Sequence, residues 1–168
     1  MSNGLVYLRP VQVAYLRIES IRRKAVHSAW AELKAILTDL HVLENVERAY
    51  GFVHNSPRMG CSGDGAYYFA GVQVFPGLPM TPESVLRRTT LPGGAYLRHR
   101  HKGGLDEIGS EFTTLCGGPK GHADIVLDQR RPLIEVYSMT GPGVIDEALT
   151  ELCAPVLPRT SADARRQG

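Results

Sequence analysis

A glutamate, Glu135, stands in the middle of residues 133–137, whose order is Leu-Ile-Glu-Val-Tyr. The other four residues favour β-strands. Because side chains alternate along a strand, Glu135 and Tyr137 are predicted to share one face. If both faces of the strand are covered, the carboxylate of Glu135 needs a hydrogen-bonded or charged partner, or it stays protonated with a raised pKa.

This pair of side chains suits two kinds of chemistry. A desolvated carboxylate beside an aromatic ring with a polar tip suits a pocket for a cationic or polarised organic molecule. The same carboxylate can act as a general base on water, while the hydroxyl of Tyr137 or Tyr68 donates a hydrogen bond to a developing oxyanion. The alternative is a glutamate that is solvated on an exposed face, or one paired with an arginine such as Arg98 or Arg100.

Three further aromatic residues are candidates for the same pocket. Trp30 and Phe112 stand at helical spacing with leucines, a pattern typical of core packing. A groove between two helices would instead make them ligand contacts. Tyr68 lies in a very apolar stretch, and its hydroxyl needs a partner if it is buried. Aromatic faces can stabilise a bound cation by about 0.5–2 kcal/mol per ring.

Metal and phosphate chemistry have weaker support. His99 and His101 share a predicted strand face, but no third metal ligand follows at a recognisable spacing, so we predict no metal site. The glycine-rich segment 60–65 lacks the Lys-Ser/Thr ending of a phosphate-binding loop. We interpret it as a mobile loop that could cover the groove. No cofactor is predicted.

The bulk composition is that of one soluble domain. The chain has 168 residues, of which 43% are hydrophobic and 21% charged, with a net charge of +2. The basic residues are scattered, so direct nucleic-acid binding is not expected. The three cysteines include no CxxC pair, and no signal segment or membrane-spanning run is found. We therefore predict a cytoplasmic protein with free thiols and no membrane partner.

Hydrophobic periodicity and turn residues predict two similar halves. The predicted elements, after a short lead-in at 1–9, are a strand at 11–18, a helix at 22–40, strands at 48–54 and 66–74, a proline-rich connector at 76–82, strands at 85–91 and 95–101, a helix at 105–115, and strands at 133–139 and 148–156. The tail from 158 to 168 is predicted to be disordered.

A short internal repeat connects these halves. The tetrapeptide Ala-Tyr-Leu-Arg at 14–17 recurs at 95–98, a separation of 81 (95 minus 14). We predict a single duplication of a strand-helix-strand-strand unit, with repeat one at about 8–75 and repeat two at about 84–157. The expected fold is α+β: an antiparallel sheet with both helices on one side and a central groove.

A series of short motifs runs through the chain in a fixed order. These are Val-His-Ser-Ala-Trp-Ala-Glu-Leu at 26–33, Tyr-Gly-Phe at 50–52, Pro-Gly-Gly-Ala-Tyr at 92–96, His-Lys-Gly-Gly at 101–104 and Ile-Glu-Val-Tyr at 134–137. Through them, over about residues 8–157, the chain resembles the GyrI-like small-molecule-binding family, also known as the AraC-type effector-binding domain.

The resemblance implies a tandem fold with a groove for lipophilic, often cationic or heteroaromatic compounds and a glutamate at its floor, a position that Glu135 matches. The family includes drug-sensing domains of transcription activators and free-standing toxin-sequestering proteins. Because the chain has no room for a helix-turn-helix domain, we expect a stand-alone module that sequesters or senses drugs or toxins. The ligand-binding candidates are Glu135, Tyr137, Trp30, Tyr68, Phe112 and Tyr96.

The resemblance also leaves an enzyme open, since some family members hydrolyse cyclopropane-bearing antibiotics. The alternative function is therefore hydrolysis of strained or alkylating toxins, with Glu135 and Tyr137 as catalytic residues. The chain departs from the family pattern at 19–21, where Glu-Ser-Ile replaces a His-x-Gly turn, and at Ile134, where an aromatic residue is common. These departures leave the identity of the ligand, and the oligomeric state, open.

Overall fold

The computed structural model describes residues 4–53, 67–101, 104–116 and 122–160. The strands are β1 (Gly4–Leu8), β2 (Val11–Ile18), β3 (Arg48–Val53), β4 (Tyr68–Gln73), β5 (Arg87–Leu91), β6 (Gly94–Arg100), β7 (Ile125–Leu127), β8 (Leu133–Gly141) and β9 (Val144–Pro158). The helices are α1 (Arg23–Asp39) and α2 (Ile108–Cys116), and short 3-10 turns occupy Leu43–Asn45 and Leu105–Glu107.

Most of these elements follow from the hydrophobic pattern. The strand predicted at 11–18 is present with those bounds, and α1 buries Ala29, Leu33 and Leu37 as a stripe at helical spacing. Two strands were not predicted: β1, in the supposed lead-in, and β7, which has only three residues.

The first residues of the tail, which was predicted to be disordered from residue 158, make backbone contacts with the rest of the fold. The last strand, β9, extends to Pro158, and the N–H of Arg159 donates to the carbonyl oxygen of Asp124 at 2.7 Å. Residues 161–168 lie outside the described residues, as does the glycine-rich segment 60–65. Disorder in the rest of the tail and a lid role for that segment therefore stay predictions.

The strands form one antiparallel sheet in the order β1-β6-β9-β8-β3-β4-β2-β5, and β7 pairs with β9. The central pair is β3 and β8. Outward from this pair the order is β4 and then β2 on one side, and β9 and then β6 on the other. Antiparallel pairing and an α+β composition agree with the predicted fold class.

The sheet curls because two short links join strands that lie far apart in this order. Only residues 9–10 separate Leu8 at the end of β1 from Val11 at the start of β2. Three Cα–Cα steps span at most about 11 Å. Residues 92–93 link β5 to β6 in the same way, and the links meet, since a Cβ at Gly93 would lie 2.7 Å from the Leu8 carbonyl oxygen. The two ends of the strand order therefore approach each other.

The sheet has two buried faces of different character. The helix face packs against both helices in one apolar cluster that includes Leu33 of α1, Ile108 of α2 and Tyr137 of β8. The inner face, enclosed by the curl, buries Val13, Tyr50, Phe52, Phe69, Leu91, Tyr96, Ile134 and Cys153. The prediction that both helices pack on one side of the sheet is confirmed.

No helix in the described ranges has the length and apolar character needed to cross a bilayer.

Candidate functional site

The centre of the helix face lies between the strands that support the two helices. Helix α1 packs on β2 and β4, and α2 packs on β9. The strands between these are β8 and β3. Glu135, the third residue of β8, therefore lies between the two helices, on a central strand of the sheet.

Glu135 is buried, with 7% of its surface exposed. Its Oε2 atom accepts hydrogen bonds from the hydroxyls of Tyr137, at 2.5 Å, and Tyr68, at 2.7 Å. Hydrogen bonds to a carboxylate are about twice as strong as neutral ones, and two of them offset part of the cost of burying the charge.

The alternative in which Glu135 is solvated or paired with arginine is wrong. Arg98 and Arg100 instead approach Glu151 of β9, at 3.5 and 3.9 Å, because β6 pairs with β9 and not with β8.

Trp30 of α1 completes this group of side chains. Its Nε1–H donates to the hydroxyl of Tyr68 at 3.0 Å. Its ring stands edge-on to the rings of Tyr137 and Tyr68, with centroids 5.4 and 6.4 Å apart. Tyr68 and Tyr137 are buried, whereas Trp30 is half-buried. A chain of donors thus runs from the indole through Tyr68 to the carboxylate, and Tyr137 donates from the other side.

Gly51 makes room for the carboxylate. It is the residue of β3 that pairs with Glu135 of β8. A Cβ at this position would overlap both Glu135 Oε2 and the Tyr68 hydroxyl oxygen. No role was predicted for Gly51, although a glycine inside an apolar strand indicates close approach by another group.

Burial decides the protonation behaviour of the group. Burial raises the pKa of Glu135, while the hydrogen bonds from Tyr137 and Tyr68 and the charge of the nearby His101 act against this rise. For Tyr68 and Tyr137, burial and the adjacent Glu135 carboxylate place the pKa well above its ordinary value. Both hydroxyls therefore remain protonated donors at neutral pH.

His101 anchors α2 to the end of β6. It is buried, with Nδ1 at 2.6 Å from Glu111 Oε2 and Nε2 at 2.9 Å from the carbonyl oxygen of Gly104. Both partners can only accept, so both ring nitrogens must carry hydrogen for both bonds to form. Burial lowers the pKa of His101, but the bonds to Glu111 and Gly104 outweigh burial and raise it overall.

This arrangement predicts a pH-dependent stability. Because folding raises the pKa of His101, its contribution is fully present below the unfolded pKa and is lost as the pH rises through the folded pKa. Each unit of difference corresponds to about 1.4 kcal/mol. Urea unfolding of the wild type and His101→Gln between pH 5 and 9 should show their stability difference shrinking as the pH rises. His27→Gln, which replaces an exposed histidine, is the control, and a pH-independent difference for His101→Gln would contradict the assignment.

His99 lies close to the same carboxylate, with Nε2 at 3.2 Å from Glu111 Oε2. Within the part of the chain that the structure describes, no group of three or more His, Cys, Asp or Glu side chains is arranged to hold a metal ion.

Of the other two ligand-binding candidates, Tyr96 lies away from the Glu135 group, and the prediction for Phe112 is not tested. Tyr96 is fully buried on the inner face, where its hydroxyl donates to the carbonyl oxygen of Pro92 at 2.7 Å and its ring lies 4.8 Å from the guanidinium carbon of Arg131. It is therefore separated from Glu135 by the sheet. Phe112 belongs to α2, but its side chain lies outside the described residues.

The cysteine thiols differ in what is described of them. Cys153 is buried on the inner face, and burial raises the pKa of its thiol to about 12, so it stays protonated and unreactive near neutral pH. Cys61 lies outside the described residues.

Comparisons with known proteins place the fold among solved structures. No protein-family model and no curated protein matches the chain. SAV2435, solved bound to tetraphenylphosphonium, is similar over 99% of both chains, with a TM-score of 0.64 and 12% identity. The C-terminal domain of EcmrR is similar over 93% of this chain and 97% of that one, with a TM-score of 0.63 and 15% identity. The match to the chain in a structure of an EcmrR–DNA complex covers 57% of that longer chain.

A third similar structure is a hydrolase encoded by lin2189 from Listeria innocua. The match covers 93% of this chain and 92% of that one, with a TM-score of 0.53 and 11% identity. Identities this low establish a shared fold and nothing finer.

Proposed function

We propose that this protein binds lipophilic cations between α1 and α2, with Glu135 supplying the opposite charge. The observation that carries this proposal is the set of partners of the carboxylate. Its hydrogen-bond donors, Tyr68 and Tyr137, are neutral. Among the described residues it makes no ion pair with an arginine or lysine. His101 acts on this carboxylate only from a distance, because its ring nitrogens bond to Glu111 and Gly104. A buried carboxylate that no cation contacts directly favours a ligand that brings one.

The aromatic rings around Glu135 support the same class of ligand. The rings of Trp30 and Tyr137 stand edge-on to each other beside the carboxylate, and rings attract cations through their negative faces. Because Glu135 is nearly enclosed and Trp30 is half-buried, a ligand reaches the carboxylate through movement of the indole. Phe112, on the opposite helix, stays a candidate for a further aromatic wall.

The fold likeness to SAV2435, solved with the lipophilic cation tetraphenylphosphonium, is consistent with this proposal. The motif series and the sheet order also support a GyrI-like effector-binding domain. In the two halves, β2-α1-β3-β4 corresponds to β6-α2-β8-β9, and the central β3–β8 pair joins them. We infer from this correspondence a duplicated strand-helix-strand-strand unit.

The test compares ligands of similar shape and different charge. Tetraphenylphosphonium, neutral triphenylphosphine oxide and anionic tetraphenylborate are titrated by calorimetry against wild type and Glu135→Gln. We expect Glu135→Gln to weaken tetraphenylphosphonium at least about tenfold, or about 1.4 kcal/mol, and the neutral ligand less than about twofold. Glu44→Gln, an exposed glutamate near α1, should change neither. Equal weakening of the cation and the neutral ligand would exclude a charge role.

A second candidate function is hydrolysis of a strained, cyclopropane-bearing electrophile. It is favoured by the raised pKa of Glu135, which suits a general base, and by two protonated tyrosine hydroxyls beside it. In this reaction Glu135 takes a proton from water, the water oxygen bonds to a ring carbon, and a ring C–C bond breaks. The electron pair passes to an adjacent electron-withdrawing group, which is then protonated.

Mass spectrometry distinguishes the two functions. A hydrolase converts the electrophile to its water adduct with multiple turnovers, and Glu135→Gln abolishes the conversion. Absence of turnover over several such compounds, with tetraphenylphosphonium binding intact, excludes the enzyme and keeps the binding function.

A further inference from the structure

A hollow opens on the inner face, on the opposite side of the sheet from Glu135. Its volume is about 510 Å³, within the range of small-molecule pockets. Its wall comes from the five neighbouring strands β6, β9, β8, β3 and β4, and its rim from the two links, at residues 8–11 and 91–92. The hollow therefore exists because the sheet curls and the links cross over its edge.

The floor of the hollow is apolar. Ile134 and Val136 of β8 face it, with Leu91 and Val11 at the rim. Ile134 and Val136 alternate with Glu135 and Tyr137 along β8, so the same strand contributes to one site on each face. Tyr50 adds a ring with a polar tip.

The charged side chains around the hollow are mostly basic. Arg9, Arg48 and Arg98 line it, with Glu151 as the acidic counterpart. Glu151 lies 3.5 Å from Arg98, whereas Arg9 and Arg48 make no ion pair within the described ranges. Arg9 belongs to the rim link and Arg48 begins β3, and both are exposed. The side chains that line the hollow therefore carry three positive charges and one negative charge, a net charge of +2.

We propose that this hollow is a second binding site, for small molecules that carry an anionic group on an apolar body. The anionic group lies between Arg9 and Arg48, where guanidinium groups donate paired hydrogen bonds to acid oxygens. The apolar body packs on Ile134, Val136 and Leu91. The two faces of one sheet then have opposite preferences, for a cation at Glu135 and for an anion at the inner face.

Two fluorescent probes that differ by one charged group test this site. 1-Anilinonaphthalene-8-sulfonate carries a sulfonate, and N-phenyl-1-naphthylamine has the same rings without it. We expect the sulfonate to bind the wild type more tightly, and Arg9→Gln/Arg48→Gln to weaken it at least tenfold while changing the neutral probe less than twofold. Arg88→Gln, which removes one exposed charge on the helix face, is the control and should change sulfonate binding less than twofold.

Further measurements test whether the hollow binds its ligand independently of the Glu135 site. Saturating tetraphenylphosphonium should leave sulfonate binding unchanged, and Glu135→Gln should leave it within twofold. If urea unfolding shows that the double variant is less stable than the wild type, Arg9→Gln alone, at an exposed position in a link, provides a second test of sulfonate binding. Equal affinity for the two probes, no effect of either arginine variant, or displacement by tetraphenylphosphonium would overturn the proposal.

Discussion

Gly51→Ala should abolish tight binding of tetraphenylphosphonium and lower the free energy of unfolding by about 2–4 kcal/mol, although it adds a single methyl group. That methyl group would occupy the space of Glu135 Oε2 and the Tyr68 hydroxyl. Neither β3 nor β8 can move away easily, because each is paired on both sides in the middle of the sheet. The carboxylate must therefore rotate, which breaks hydrogen bonds in a buried site.

The matched control is Gly4→Ala, which also adds a methyl group to a strand glycine. Nothing lies within 4 Å of the Cβ position at Gly4, so this variant should retain the stability and affinity of the wild type. Urea unfolding and calorimetric titration measure both properties. A Gly51→Ala variant with unchanged affinity would show that the geometry of the Glu135 carboxylate is not required for binding.

Local patterns were sufficient to predict most elements and the shared face of Glu135 and Tyr137. Alternation along β8 depends only on strand geometry, and the stripe on α1 only on helical period. The same alternation indicated that Glu135 would need a partner once buried, and the two tyrosine hydroxyls fill that need. A prediction of this kind requires no knowledge of which strands are neighbours.

The features that could not be predicted from the sequence depend on which strands are neighbours in the sheet. The overlap that makes Gly51 necessary exists because β3 pairs with β8, and these strands are far apart in the chain. The alternative in which an arginine pairs with Glu135 is wrong for a related reason: β6 lies beside β9, so Arg98 approaches Glu151. Tyr96 is in the repeated tetrapeptide, but its neighbour Leu97 is the side chain that faces the helices. Similarly, the inner hollow depends on the curl, which results from two short links between distant strands.

Replacing both Tyr68 and Tyr137 by phenylalanine should shift the pH dependence of cation binding upward. The two hydroxyls stabilise the ionised form of Glu135, while burial opposes it. Without them burial acts with less compensation, so the pKa of Glu135 rises further and the carboxylate is neutral over more of the pH range. We expect affinity for tetraphenylphosphonium at pH 7 to fall about tenfold or more, since each bond to a charged group contributes about 1.5–3 kcal/mol.

Tetraphenylphosphonium has a charge that does not change with pH, so its affinity reports the ionisation of the protein. Titrations between pH 5 and 10 should show affinity rising with pH, at a higher midpoint in the double variant than in the wild type. Each single variant keeps one hydroxyl on the carboxylate and should have an intermediate midpoint. Tyr96→Phe removes a hydroxyl that donates to Pro92 on the inner face and should leave the midpoint unchanged.

The rise in the pKa of Glu135 also affects the free energy of unfolding. The direction of the resulting pH dependence distinguishes this effect from a general loss of core packing. Because folding raises the pKa of Glu135, its contribution to stability is fully present below the unfolded pKa and is lost as the pH rises through the folded pKa. A higher folded pKa extends this loss to higher pH, so the double variant should lose stability with pH over a wider range than the wild type. Glu135→Gln in the double-variant background should remove that added pH dependence. A loss that persists in the Gln background would assign it to packing, and the hydroxyls would then have no role in holding the carboxylate ionised.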